Sequence, residues 1–170
     1  MGYLASQPFR THRVVRSPRA AVWRAYTEQE PLMAWFGPSG FSMPVCHYDF
    51  RPGGTFHYCL RTPTGLEMWG KWEFVDIVAP ERLVMVVSFS DAQGGLTRHP
   101  LSNGWPLRTL SDTRFSDLGD GSTRIDITWS APDASPEEVA VFNAGFASMA
   151  QGCNGTFDQL EAYLAQNPNA

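Results

Sequence analysis

The sequence predicts an α+β domain in which an antiparallel sheet carries one long C-terminal helix. Three observations support this. The last third of the chain keeps large apolar side chains at helical spacing. The middle alternates apolar and polar residues between turn signals. From residue 41 to 130 no helix-period segment separates consecutive strands, so parallel crossovers are not expected. The C-terminal stripe is Val139, Phe142, Phe146, Met149, Cys153, Phe157, Leu160 and Leu164. Steps of three or four residues place them all on one helix face. Ser135 suits the N-cap, Pro136 the first helical position and Glu138 the return bond of a capping box. A single helix over 136–165 would be roughly 45 Å long.

The preceding elements follow in order. Residues 9–16 read as a first strand. Ser17-Pro18 opens a short helix carrying Val22, Trp23 and Tyr26. Pro31 starts a second, with Leu32, Trp35 and Phe36, and Gly37-Pro38 stops it. Strands at 41–50 and 55–62 are joined by Arg51-Pro52-Gly53-Gly54, where a glycine supplies positive φ. Thr62-Pro63-Thr64-Gly65 turns the chain into a strand at 68–78. There Trp69, Trp72, Phe74 and Ile77 break strict alternation and predict a bulge. Ala79-Pro80-Glu81 leads to a strand at 82–90, with Leu83, Met85, Val87 and Phe89 on one face. Asp120-Gly121 marks a hairpin between 107–117 and 122–130. In the latter strand Ile125, Ile127 and Trp129 form a dry face, and Arg124, Asp126 and Thr128 a wet one. The long connection 90–106 holds His99 and Trp105 and suits either a lid or an edge loop, with the two rings favouring the lid.

Composition bounds the function. The 170 residues make one domain, 1–170 with its core at 9–165, large enough for a substantial core. The apolar share of 43% and aromatic share of 13% exclude a disordered chain. A net charge of −4 disfavours nucleic acid and anionic membranes as partners. Residues 1–16 lack an apolar run of signal-peptide length, and no stretch approaches the ~18–20 apolar residues of a membrane span. A cytoplasmic protein is expected. Cys46, Cys59 and Cys153 have no metal-type spacing and read as small apolar thiols, although Cys46 and Cys59 could oppose each other across a hairpin. No metal or cofactor is implied.

Several strings in this order resemble the START-like, or SRPBCC, helix-grip superfamily, related to the birch-pollen allergen. Within it, they are most similar to homologues of the activator of the heat-shock-protein-90 ATPase. They are Ser17-Pro18 with Val22-Trp23, Leu32 with Trp35-Phe36-Gly37-Pro38, and Asp49-x-Arg51-Pro52-Gly53-Gly54. Gly70-x-Trp72, Pro80-Glu81-Arg82-Leu83 and Gly152 with Leu160-x-x-Tyr163-Leu164 complete the set. The resemblance implies a seven-stranded curved antiparallel sheet gripping the C-terminal helix, two short helices after the first strand, and a hydrophobic cavity between sheet and helix. One departure is visible: many members carry Gly-Trp where this chain has Gly152-Cys153, which implies a wider cavity there unless Trp105 or Phe157 fills it.

Aromatic content is the strongest functional signal. Six tryptophans and eleven phenylalanines exceed what core packing requires. Trp35, Phe36, Trp69, Trp72, Phe89, Trp105, Phe115 and Trp129, facing Phe142, Phe146, Met149 and Cys153, are the candidate lining of an apolar pocket. Acid–base candidates are His47 and His57, with Tyr58 or Tyr48 assisting. An odd-sum register between 41–50 and 55–62 would pair His47 with Tyr58; a one-residue bulge would reverse this. Metal binding by Cys46, His47, His57 and Cys59 is disfavoured, because alternation splits them between faces. Glu67 and Glu73 are weaker candidates for a buried acid. No nucleophile elbow, phosphate loop or dinucleotide fingerprint occurs. The expected function is binding of a small hydrophobic molecule, aromatic or lipid-like. Its rivals are a cyclase or dehydratase using a cavity His/Tyr pair, and a chaperone-activating interaction module. Enzymatic turnover is the less favoured outcome, and the oligomeric state is open between monomer and homodimer.

Overall fold

The computed structural model describes residues 7–168. The elements run β1 (Phe9–Val15), α1 (Arg19–Thr27), α2 (Gln29–Trp35), β2 (Ser42–Tyr48), β3 (Thr55–Arg61), β4 (Glu67–Val78) and β5 (Arg82–Ser90). Then come β6 (Leu96–Thr97), β7 (Thr109–Asp117), β8 (Thr123–Ser130), α3 (Pro136–Ala144) and α4 (Phe146–Gln166). The strands pair antiparallel in the order β1-β8-β7-β5-β4-β3-β2, and the two-residue β6 adds to β5. This is the helix-grip architecture, with β6 as an addition to the seven strands legible in the sequence.

Alternation fixes which face is dry. Phe56, Tyr58 and Leu60 on β3, Trp72 and Phe74 on β4, and Leu83 and Met85 on β5 are buried toward the helices. Phe115 and Ile125 continue that face on β7 and β8. The outer face carries ion pairs such as Arg82–Asp112 at 2.8 Å and Arg124–Asp126 at 3.0 Å. The expected bulge lies between Phe74 and Asp76, leaving Val75 as the extra residue of β4. β2 is a sheet edge, so Pro44 costs the ladder little, and the register of β2 shifts between Ser42 and Val45 beside it.

The C-terminal stripe forms two helices rather than one. The capping box between Ser135 and Glu138 starts α3 as expected. Gly145, with φ −90° and ψ 4°, then interrupts the helix before α4 begins. Val139, Phe142, Met149, Cys153, Phe157, Leu160 and Leu164 are all buried despite the break. Periodicity alone could not reveal it, because the stripe resumes in phase. Arg13 of β1 ties α4 to the sheet through Asp158 at 3.0 Å and Glu161 at 3.2 Å, with its guanidinium over Phe157. The short helices close one end. Val22 and Leu32 are fully buried, and the Trp35 indole donates to the Ala25 carbonyl at 2.8 Å, locking α2 onto α1.

Candidate functional site

The floor of the site comes from β3 and β4. Tyr58 and Leu60 point inward, and Gly70 sits opposite Tyr58 in the ladder. A Cβ at Gly70 would overlap the Tyr58 phenol. The missing side chain therefore lets the tyrosine lie flat across β4. Phe56 at 4.7 Å and Phe36 at 5.2 Å, measured between ring centroids, hold that ring in place, and the Trp72 ring stands edge-on to it at 6.4 Å. Burial pushes the Tyr58 hydroxyl above the ordinary phenol range, so it stays protonated.

The walls are Met68, Val87, Ser88, Phe89 and Thr109, and the roof is Trp105 with Pro106 from the connection after β6. The cavity is about 80 Å³, mostly apolar, and partly open to the surface beside the exposed Met68. The roof rests on α3. Trp105 packs on Phe142 at 5.6 Å, and a Cβ at Gly104 would lie 2.9 Å from Val141. Arg98 bridges to Glu138, and the same arginine donates to the Trp105 carbonyl at 3.3 Å. The Ser135 backbone N–H, followed by Arg98, holds the Glu138 carboxyl below the usual glutamate range. His99 bridges Phe89 and Trp105 by ring contacts at 4.7 and 6.1 Å. Its Nδ1 accepts from the Leu101 N–H, and burial lowers its pKa, so it is a neutral spacer.

Of the aromatic residues expected to line a pocket, Trp69, Phe89 and Trp105 border this cavity. Trp69 does so from the strand, for its ring stacks on His57 across the sheet at 5.3 Å. Phe36 and Trp72 back the Tyr58 ring, and Phe142 backs Trp105. Trp35 and Phe115 pack around Tyr26. Trp129 donates its indole N–H to Ser111 and, with Phe146, surrounds Phe9. Met149 and Cys153 are buried on α4, and neither borders the cavity. Leu60, Met68, Gly70, Val87, Pro106 and Thr109 were not singled out from the sequence. Gly70 gave a usable signal, since an isolated glycine inside a strand marks close approach by another group.

His47 and His57 form an even-sum pair on the outer face, ring over ring at 6.2 Å. The odd-sum register that would pair His47 with Tyr58 does not form; Cys46 faces Tyr58 and Tyr48 faces Phe56. His57 Nε2 instead contacts the Asp91 carbonyl at 3.0 Å. The histidines and Tyr58 thus lie on opposite faces, and the Tyr48 hydroxyl donates to the Thr27 carbonyl. Cys46 and Cys59 are one register step apart and on opposite faces, not across from each other. Burial first, then the bond to Glu67, pushes the Cys59 thiol up to about 11. Glu67 pairs with Arg61 and Glu73 with Lys71, both at the surface. Among the described residues no three His, Cys, Asp or Glu side chains converge as a metal site would require.

At Gly152-Cys153 the resemblance implies a wider cavity, and Cys153 does not border the cavity beneath Trp105. Cys153 is buried beside Tyr26, and burial pushes its thiol up to about 11. Cys153→Trp is therefore expected to overpack the α1–α4 contact and lower stability by about 1–3 kcal/mol in a urea titration. A variant as stable as the parent would reveal free room there.

The antiparallel sheet and the C-terminal helix packed on it together define a helix-grip protein. The sequence model for Activator of Hsp90 ATPase homolog 1-like proteins matches residues 16–165, and the chain belongs to that family. Its fold is similar to that of bacterial proteins of known structure. One from Nitrosomonas europaea is 24% identical with a TM-score of 0.73, over 98% of this chain and 99% of that one. One from Mycobacterium smegmatis is 23% identical with a TM-score of 0.72, over 94% and 91%. An AHSA1-like protein from Aeromonas hydrophila is 18% identical with a TM-score of 0.69, over 95% and 94%. No curated protein matches the sequence. No helix among the described residues is long and apolar enough to cross a membrane.

Proposed function

We propose that this protein binds a small hydrophobic molecule between β3–β5 and the Trp105 roof. The observation that carries the reading is a partly open apolar cavity with no ionisable side chain in its wall except the neutral phenol of Tyr58. Its size limits the guest. About 80 Å³ is well below the ~300 Å³ of a drug-sized site and about half the ~150 Å³ that holds benzene. With the roof in place the guest is compact, on the order of five heavy atoms. An aromatic or lipid-like guest requires Trp105 to move aside.

The rivals find less support. The His/Tyr enzyme needs a histidine facing the cavity, and both candidates face outward. A chaperone-activating surface, by analogy with the family's name, needs a contiguous apolar patch. The exposed large apolar residues are spread over several elements: Val14 on β1, Met33 on α2, Leu66 and Met68 at the start of β4, Val75 and Val78 at its bulge and end, Leu101 on the roof segment and Leu118 in the turn after β7.

Trp105→Ala tests the reading. Removing the indole enlarges the cavity, so the variant is expected to bind indole at least tenfold more tightly than the parent in an NMR titration. Shifts should be confined to amides around Tyr58, Val87 and Phe89. Indole binding equally weakly to both proteins, or elsewhere, would sink the proposal.

A further inference from the structure

Tyr58 is the polar feature built into an otherwise greasy floor. Its position is determined from three sides: Gly70 leaves the space, Phe56 and Phe36 clamp the ring, and Trp72 stands edge-on beside it. Among the described residues no side chain accepts a hydrogen bond from the Tyr58 hydroxyl, so its proton is available to a guest. The hydroxyl lies over Gly70, and Gly70 is itself part of the cavity wall. Ser88 of β5 and Thr109 of β7 are the other hydroxyl-bearing residues that border the space. No Lys, Arg, His or carboxylate borders the space, so an ionised guest would be buried without a counter-charge.

We infer that Tyr58 is the specificity-determining residue of this cavity, and that the site takes compact neutral molecules bearing one hydrogen-bond acceptor, such as a carbonyl. The ring of Tyr58 supplies apolar contact to any guest. Its hydroxyl selects the guest whose oxygen meets it, because a carbonyl entering the cavity loses water and must find a donor there. This inference rests on the cavity being a binding site, and the test separates the two.

Three probes of equal size distinguish the outcomes: 2-butanone, 2-methyl-1-butene and propionate, each titrated by NMR into the parent and Tyr58→Phe. The phenylalanine keeps the ring and removes only the hydroxyl. The alkene is expected to bind both proteins within twofold, which shows that the cavity is intact. The affinity ratio of ketone to alkene is expected to fall about three- to tenfold on Tyr58→Phe, the magnitude of one neutral hydrogen bond. Propionate is expected to bind neither. A ratio unchanged by the substitution would overturn the role of Tyr58 while leaving the cavity as a binding site. Propionate binding as well as butanone would overturn the preference for neutral guests. Failure of both the alkene and the ketone to bind the parent would remove the binding site itself, and this inference with it.

Discussion

Phe142→Ala is expected to destabilise the protein by about 3–5 kcal/mol, a large share of a typical folding free energy. The side chain is fully buried on α3 and touches Trp105 at 5.6 Å and Phe146 at 5.7 Å. Truncation leaves a void bounded by the roof and the start of α4, two elements that cannot close on it together. Gly145 would meet the Trp105 ring at 3.0 Å if it carried a Cβ, so the helices cannot slide inward without moving the indole. Urea titration reads the global loss, and amide exchange locates it. If α3 is part of the cooperative core, exchange should accelerate throughout the sheet. If the midpoint shifts by less than about 1 kcal/mol and only amides of 96–106 and 136–144 exchange faster, α3 and the roof open as a separate unit. That result would assign α3 to the cover of the cavity rather than to its foundation.

Strand positions were legible because alternation and turn chemistry agree. Gly121 has the positive φ of +84° that the Asp120-Gly121 hairpin requires, and the broken alternation after Trp72 became the bulge at Val75. The parity of β2 against β3 was not legible. Both strands mix rings with small residues, so either face of His47 or Tyr58 is plausible locally. The six-residue turn between them decides the sum. There Asp49 pairs with Arg51 at 2.8 Å, and the Asp49 N–H donates to the Thr55 carbonyl. The break at Gly145 was hidden for the opposite reason: the apolar spacing across it is regular.

The site was harder to read than the fold for a related reason. Aromatic residues were visible as a class, but packing consumed most of them. Trp35, Phe115, Trp129 and Phe146 fill space between sheet and helices, and the cavity lies instead where β3–β5 meet the roof. Its position depends on Trp105 reaching α3 from a connection with little regular structure, a tertiary contact without a local signature. Seven of its lining residues are small or aliphatic, types that a search for rings passes over.

Gly70→Ala should be costly for a reason that a second substitution can remove. The added methyl would overlap the Tyr58 phenol, whose ring is held by Phe56, Phe36 and Trp72 and cannot easily retreat. Overpacking of this kind costs about 1–3 kcal/mol. The φ of Gly70 is not in the left-handed region, so alanine adopts the strand conformation without strain. In a Tyr58→Ala background the overlap is absent, and Gly70→Ala should then be neutral or stabilising by about 0.5–1 kcal/mol, because glycine weakens a strand interior. The coupling between the two sites is therefore expected to reach 2 kcal/mol or more, on the order found for residues in direct contact. Urea titration of the parent, both single variants and the double variant measures it. Additive losses would mean that the phenol does not lie across Gly70, and the floor of the cavity would have to be redrawn. A strong coupling would fix the hydroxyl of Tyr58 at the one place from which it can meet a guest.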